Sequence, residues 1–220
     1  MRRFVATALV LAGLSAASAP AALVYDTAAS LTGTRTQEDF TEGGNYIGDV
    51  FGLSWNISAL AGGLYRYEYT IRGLDRPEVS HFVLDLSDNA LTDPAVMTNI
   101  STSGFTYNLE FGEFDGSQPA NPGLAAPIIG VKVNTNNPGN PFTFAFTSNR
   151  APVWGDIYFK GGNDSFAFNN GNPLHLSSTN VNDFIARPNG VVPEPSSIAL
   201  VAIGLAGLAG RQWWRRRPRG

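Results

Sequence analysis

Tyr65-Arg66-Tyr67-Glu68-Tyr69-Thr70-Ile71-Arg72 is the most regular stretch of this 220-residue chain, and its reading decides the fold class. Three tyrosines and Ile71 occupy every second position, with charged or hydroxyl residues between them. A period of two is that of a β-strand with one packed face and one wet face, because successive side chains point to opposite sides of a pleated backbone. The same alternation recurs outward in both directions. Phe51, Leu53, Trp55 and Ile57 precede it; Phe82, Leu84 and Leu86, then Phe105, Tyr107, Leu109 and Phe111, follow it. Ile129, Val131 and Val133, then Phe142, Phe144 and Phe146, then Val153, Ile157 and Phe159, then Phe166 and Phe168 continue the series. The breaks carry explicit turn chemistry: Ala61-Gly62-Gly63, Asp115-Gly116, Asn136 to Asn140, Gly161 to Asp164 and Asn169 to Pro173.

Strands that are packed on one side only are most economically satisfied by two antiparallel sheets placed face to face. The expectation is an all-β, antiparallel β-sandwich of eight to ten strands, jelly-roll-like, occupying residues 22–188. Phe114 to Pro127 reads as a long Gly/Pro loop, and Asp93 to Met97 as one helical turn. The composition agrees: 43% hydrophobic residues exclude a disordered chain, while 24 Gly and 14 Pro exclude a helical bundle. With no cysteine, disulfide scaffolds, zinc ribbons and thiol nucleophiles are excluded together.

The two ends read differently. Met1-Arg2-Arg3, an apolar run from Phe4 to Leu14 and small residues ending in Ala19-Pro20-Ala21 form the order of a secretory signal peptide, residues 1–21, a helix to be removed by signal peptidase. At the other end a linker, 189–195, leads to a charge-free run from Ile198 to Gly210, then Trp213, Trp214 and a cluster of arginines. Ser196 to Gly210 spans only about 22 Å as a helix against a hydrocarbon core of about 30 Å. The flanking Trp pair closes the difference, and Arg211, Arg215, Arg216 and Arg217 act as a membrane stop that keeps the C-terminus cytoplasmic. The expected parts are a transmembrane sorting helix, 196–214, and a basic tail, 215–220.

Val192-Pro193-Glu194-Pro195, Ser196-Ser197, one short apolar run and a terminal arginine cluster together resemble the sorting signal of PEP-CTERM proteins, which Gram-negative producers of extracellular polysaccharide export. The resemblance covers roughly the last 29 residues; the segment is also labelled an ice-binding-protein C-terminal domain. It implies that a membrane peptidase, exosortase, recognises Pro193-Glu194-Pro195, removes the helix, and delivers the rest to the outer surface or matrix after a transient stay at the inner membrane. It further implies an association with exopolysaccharide. Two prolines keep that segment extended, the form a protease binds. More weakly, Ser80 to Leu86 and Trp154 to Gly162 resemble uncharacterised extracellular domains of other such proteins, with no activity attached.

Within the middle, catalytic chemistry is sparse. There is no Gly-x-Ser-x-Gly, no His-x-x-x-His and no phosphate loop, and His81 and His175 sit among strand-like residues. Asp85, Asp88 and Asp93 could hold Ca²⁺ but lack the spacing of a calcium loop, and Glu110 with Glu113 is a pair any protein offers. No cofactor is expected. Trp154 and Tyr158, out of phase with Val153, Ile157 and Phe159, are the expected exposed pair for stacking a sugar. The expected function is a non-enzymatic surface or matrix protein, with a carbohydrate-binding module and a secreted glycan hydrolase as alternatives.

The formal charge of -3 conceals a cancellation. Arg2, Arg3 and the five arginines from Arg211 to Arg219 are seven of the fifteen bases, whereas all eighteen acids but Glu194 lie between Asp26 and Asp183. Eight bases against seventeen acids leave the middle at -9, which disfavours nucleic acid or another anionic polymer as a partner.

Overall fold

The structure is a computed structural model that describes residues 23–48, 50–74, 76–87, 97–117, 120–136, 138–174 and 177–190. The expected signal peptide, sorting helix and basic tail, the segment 191–195, Asp88, Asp93 and His175 lie outside the described residues. Among the described residues regular structure is all-β and antiparallel, with helix limited to single 3₁₀ turns, and no helix is long and apolar enough to cross a membrane.

The described residues form thirteen strands rather than eight to ten. They are β1 (Thr32–Thr36), β2 (Phe40–Gly43), β3 (Gly52–Leu60), β4 (Leu64–Arg72), β5 (Val79–Ser87), β6 (Thr98–Ser103) and β7 (Thr106–Phe114). The remainder are β8 (Ile128–Asn136), β9 (Phe142–Ser148), β10 (Pro152–Gly155), β11 (Ile157–Gly161), β12 (Phe166–Asn169) and β13 (Ile185–Pro188). One sheet has the order β1-β3-β4-β9-β6 and the other β2-β12-β11-β5-β8-β7, while β10 and β13 form a separate ribbon. Polar β1 and β6, and the four-residue β2 and β13, carry too little alternation to be legible in advance.

The decisive Tyr65 to Arg72 stretch is β4. Tyr67, Tyr69 and Ile71 are buried and face Phe146, Phe144 and Phe142 of β9 in register. Across the interior Phe82 of β5 meets Phe144 edge-on at 5.3 Å, and Tyr107 of β7 meets the same ring at 6.5 Å. The two sheets therefore share one aromatic core, each large buried side chain contributing about 1.5–3 kcal/mol against the entropy of ordering it.

Three connections carry the chain from one sheet to the other at a common corner: β4 to β5, β6 to β7 and β8 to β9. They are tied together there, Gly73 N–H donating to Asn140 Oδ1 at 2.9 Å and Gly139 N–H to the Gly104 carbonyl at 2.8 Å. Gly73 has φ +86°, and a Cβ there would lie 2.2 Å from the Val50 carbonyl oxygen. Gly73→Ala is expected to cost about 1–3 kcal/mol, because neither the backbone conformation nor the opposing main chain can yield cheaply. Urea unfolding of the secreted protein measures this, and an unchanged midpoint contradicts it.

The long loop after β7 is where it was expected, and it covers something. Leu124, with Phe114 and Ile128 at the strand ends that flank it, packs on Val83, Tyr158 and Phe168 of the second sheet as a small outer core. Tyr158 O–H donates to the Pro122 carbonyl at 3.0 Å, and Asn121 bonds His81 Nε2 at 3.0 Å. This loop covers the part of the second sheet's outer face around Val83, Tyr158 and Phe168.

Candidate functional site

The ribbon of β10 and β13 lies between the sheets, with all eight of its residues buried. Val153 pairs with Arg187 on one side and with Ala28 on the other, so residues near the N-terminal end of the described chain form a third strand-like edge. Tyr69 of the first sheet donates its hydroxyl to the Ala186 carbonyl at 2.8 Å. The last strand before the tail is thus held from both sides.

Its anchor is Arg187, which is fully buried. Nε lies 3.0 Å from Asp85 Oδ2, Nη2 lies 3.3 Å from Asp26 Oδ1, and Nη1 donates to the Pro188 carbonyl at 3.2 Å. The guanidinium also sits 5.3 Å over the Tyr25 ring. Asp85 Oδ2 additionally accepts the Tyr25 hydroxyl at 2.8 Å and the Asp156 N–H at 3.3 Å. Gly155 is required by this arrangement, since a Cβ there would lie 2.3 Å from Arg187 Nε.

A second buried carboxyl adjoins the first. Asp156 Oδ1 accepts from Asn169 Nδ2 at 2.6 Å, and Asn169 Oδ1 in turn accepts the Ile157 N–H at 2.7 Å. Burial, and then the neighbouring Asp85 charge, push the Asp156 carboxyl up to about 7. Apart from the partly exposed Asp26, the polar groups named here are directed at internal partners, which is the chemistry of a structural lock.

Beyond β13 the chain remains tied for two more residues. Asn189 N–H donates to the Ala151 carbonyl at 2.8 Å, and buried Arg150 sends Nη1 to the carbonyls of Asn189 at 3.4 Å and Gly190 at 3.2 Å. Asn189 and Gly190, expected to open the linker, belong to the folded body.

The structure corrects the expected exposed pair. Trp154 is 6% exposed and Tyr158 is buried. Trp154 meets Trp55 edge-on at 6.0 Å, and Arg35 lies over both rings at 4.9 and 5.5 Å. Val153 to Phe159 was expected to be one strand; it is two, β10 and β11, in different sheets with Asp156 between them. Trp154 is therefore inside the ribbon interface, and Tyr158 lies under the loop. Alternation tells which residues share a face, not whether another segment covers it.

Asp85 is inside the lock, and among the described residues no group of His, Asp or Glu could hold a metal ion. Glu110 faces Lys132 across β7 and β8 with Nζ at 3.1 Å, and also accepts from Asn134 Nδ2 at 2.6 Å. Those two hydrogen bonds hold its carboxyl below the ordinary range. His81 is buried beside Asn121, and burial lowers it to about 4. An open cleft of about 590 Å³ next to β2, lined by Gln37, Glu38, Phe40, Glu42, Ile47 and Gly48, contains none of the nominated residues. Arg187, Asp26 and Arg150 escaped the sequence reading; the one signal was Arg187 alone in the apolar run Ile185 to Pro188, a buried cation needing a carboxylate.

Fold and exit together define a class: an antiparallel β body whose last described strand is locked inside it and ends just before the terminal segment. The family model for the PEP-CTERM protein-sorting motif matches residues 191–217, beginning one residue past Gly190. The chain therefore carries a PEP-CTERM protein-sorting motif, and that motif implies an exported, membrane-transit protein with exosortase as its processing partner. No curated protein and no solved structure matches the chain.

Proposed function

We propose that this chain is a non-enzymatic cell-surface or extracellular-matrix protein of a Gram-negative envelope, associated with exopolysaccharide and released from its tail by exosortase. Signal peptidase removes residues 1–21, the β body, which runs on to Gly190, is delivered as a jelly-roll-like sandwich, and residues 191–195 join it to the helix 196–214 and tail 215–220. The nested β4/β9 and β5/β8 pairs, crossing together from sheet to sheet, support the jelly-roll description.

The observation that carries the reading is the position of the lock. Arg187 and Arg150 hold the chain to Gly190, and the matched motif starts at 191, so cutting within the motif removes no strand. A body made to outlive its tail has this construction. A non-catalytic role is supported by the way its polar residues are engaged: Glu110 is paired and held ionised, His81 is enclosed, and Asp85 and Asp156 are buried against internal donors.

Mass spectrometry of both termini of the secreted protein, from cells with and without exosortase, tests this. The expected mature chain begins near Ala22 and lacks Ile198 to Gly210 only where exosortase is present. A secreted chain that retains those residues overturns the processing, and release of reducing ends from the cells' own exopolysaccharide overturns the non-enzymatic reading.

A further inference from the structure

The hairpin joining β3 to β4 projects from the body. Ile57 opposite Tyr67 is the last buried pair, and Ala59 opposite Tyr65 and Leu60 opposite Leu64 lie beyond it. Residues 58–64 are exposed, Leu60 at 44% and Leu64 at 37%, and a Cβ on Gly62 or Gly63 would meet nothing within 4 Å. At about 3.3 Å per residue the tip extends roughly 10 Å past the core. Ser58 to Tyr65 carries no charge in a body of net -9, and Leu31, 47% exposed, adds apolar surface beside it, its carbonyl accepting the Ile57 N–H at 2.7 Å.

This tip shares its end of the molecule with the chain exit. Tyr65 pairs with Ser148, and two residues on Arg150 accepts the Tyr67 hydroxyl at its carbonyl, 2.8 Å, while its guanidinium holds Asn189 and Gly190. From Gly190 to Ser196 there are six residues, which reach no more than about 20 Å even fully extended. A body on so short a tether cannot leave the membrane that holds its tail, and the end it turns toward that membrane is the one bearing the leucine tip.

We propose that the Leu60 to Leu64 hairpin, with Leu31, is a membrane contact: before processing it enters the interfacial region of the bilayer that holds residues 196–210 and fixes the orientation in which the motif is presented to the peptidase. The depth fits, since interfacial apolar groups bury about 5–10 Å into the headgroup and acyl boundary. The absence of acids at the tip removes the repulsion the rest of the body would meet at an anionic surface. The proposal rests on the reading of 196–210 as membrane-held before cleavage.

The chain has no cysteine, so a single introduced one is a unique labelling site. An environment-sensitive fluorophore is placed at Leu60→Cys, Leu64→Cys, Ala206→Cys and Asn108→Cys in the full chain, reconstituted in vesicles of phosphatidylethanolamine and phosphatidylglycerol containing brominated lipid. Emission at 60, 64 and 206 is expected to shift to the blue and be quenched by the lipid, the exposed Asn108 on β7 of the other sheet to show neither, and quenching at 60 and 64 to disappear once exosortase has released the body. A quenched 206 with unquenched 60 and 64 overturns the hairpin contact alone. An unquenched 206 overturns the membrane-held tail and the hairpin contact together.

Discussion

Arg187→Ala is expected to destabilise the body by about 3–5 kcal/mol, the usual cost of removing one partner of a buried ion pair and leaving the other charge uncompensated. The stranded group is Asp85, 2% exposed, whose remaining donors are the Tyr25 hydroxyl and the Asp156 N–H. Asp26 supplies the contrast. Its side chain is 36% exposed, so Asp26→Asn removes a pair already screened by water and should cost no more than about 1 kcal/mol. Urea unfolding followed by tryptophan emission reads both, since Trp154 belongs to the ribbon and Trp55 packs against it. Arg187→Lys serves where the alanine variant does not accumulate: it keeps the charge but loses the fork that reaches two carboxylates, and it should fall between the other two. A loss in Arg187→Ala no larger than in Asp26→Asn would show that the lock holds nothing.

The second large effect is a pH dependence hidden in the native protein. Asp156 has a folded-state value raised to about 7, so the folded chain keeps a proton the unfolded chain releases. Its contribution to stability is fully present below the unfolded value of 3.8 and is lost as pH rises toward 7. His81 acts in the opposite sense. Lowered to about 4 from 6.5, it is neutral in the folded state where the unfolded chain binds a proton, so its contribution is present above 6.5 and lost as pH falls toward 4. At about 1.4 kcal/mol per pH unit, shifts of similar size and opposite sign nearly cancel between pH 4 and 6.5. In the native protein these two contributions therefore offset each other there. Asp156→Asn is expected to make stability rise by a few kcal/mol across that window, and His81→Gln to make it fall by a similar amount. Unfolding midpoints at a series of pH values test the pair, and two variants with the native profile would refute the opposing titrations.

The fold was legible where alternation was strong. β3, β4, β5, β7, β8 and β9 carry aromatic or aliphatic residues at every second position, and burial then leaves the strand little choice of face. β1 and β6 escaped because edge strands rich in Thr, Ser and Asn give no periodic apolar signal, although their main chains pair as fully as any. β2 and β13 are too short to show a period. The exit site was legible only in part: the terminal motif is local chemistry, but Arg187 acquires its role from Asp85 and Asp26, 102 and 161 residues away in the chain. No spacing rule connects residues so far apart.

The sequence by itself determined the all-β class and the terminal sorting motif, because both depend on short-range patterns: period two, turn residues, and an ordered run of prolines, apolar residues and arginines. Only the tertiary structure decided that Trp154 and Tyr158 are interior, that the last strand is bolted into the core immediately before the motif, and that an uncharged leucine hairpin stands at the same end. Each of those depends on which distant segment covers which face, and coverage is set by the three-dimensional return of the chain.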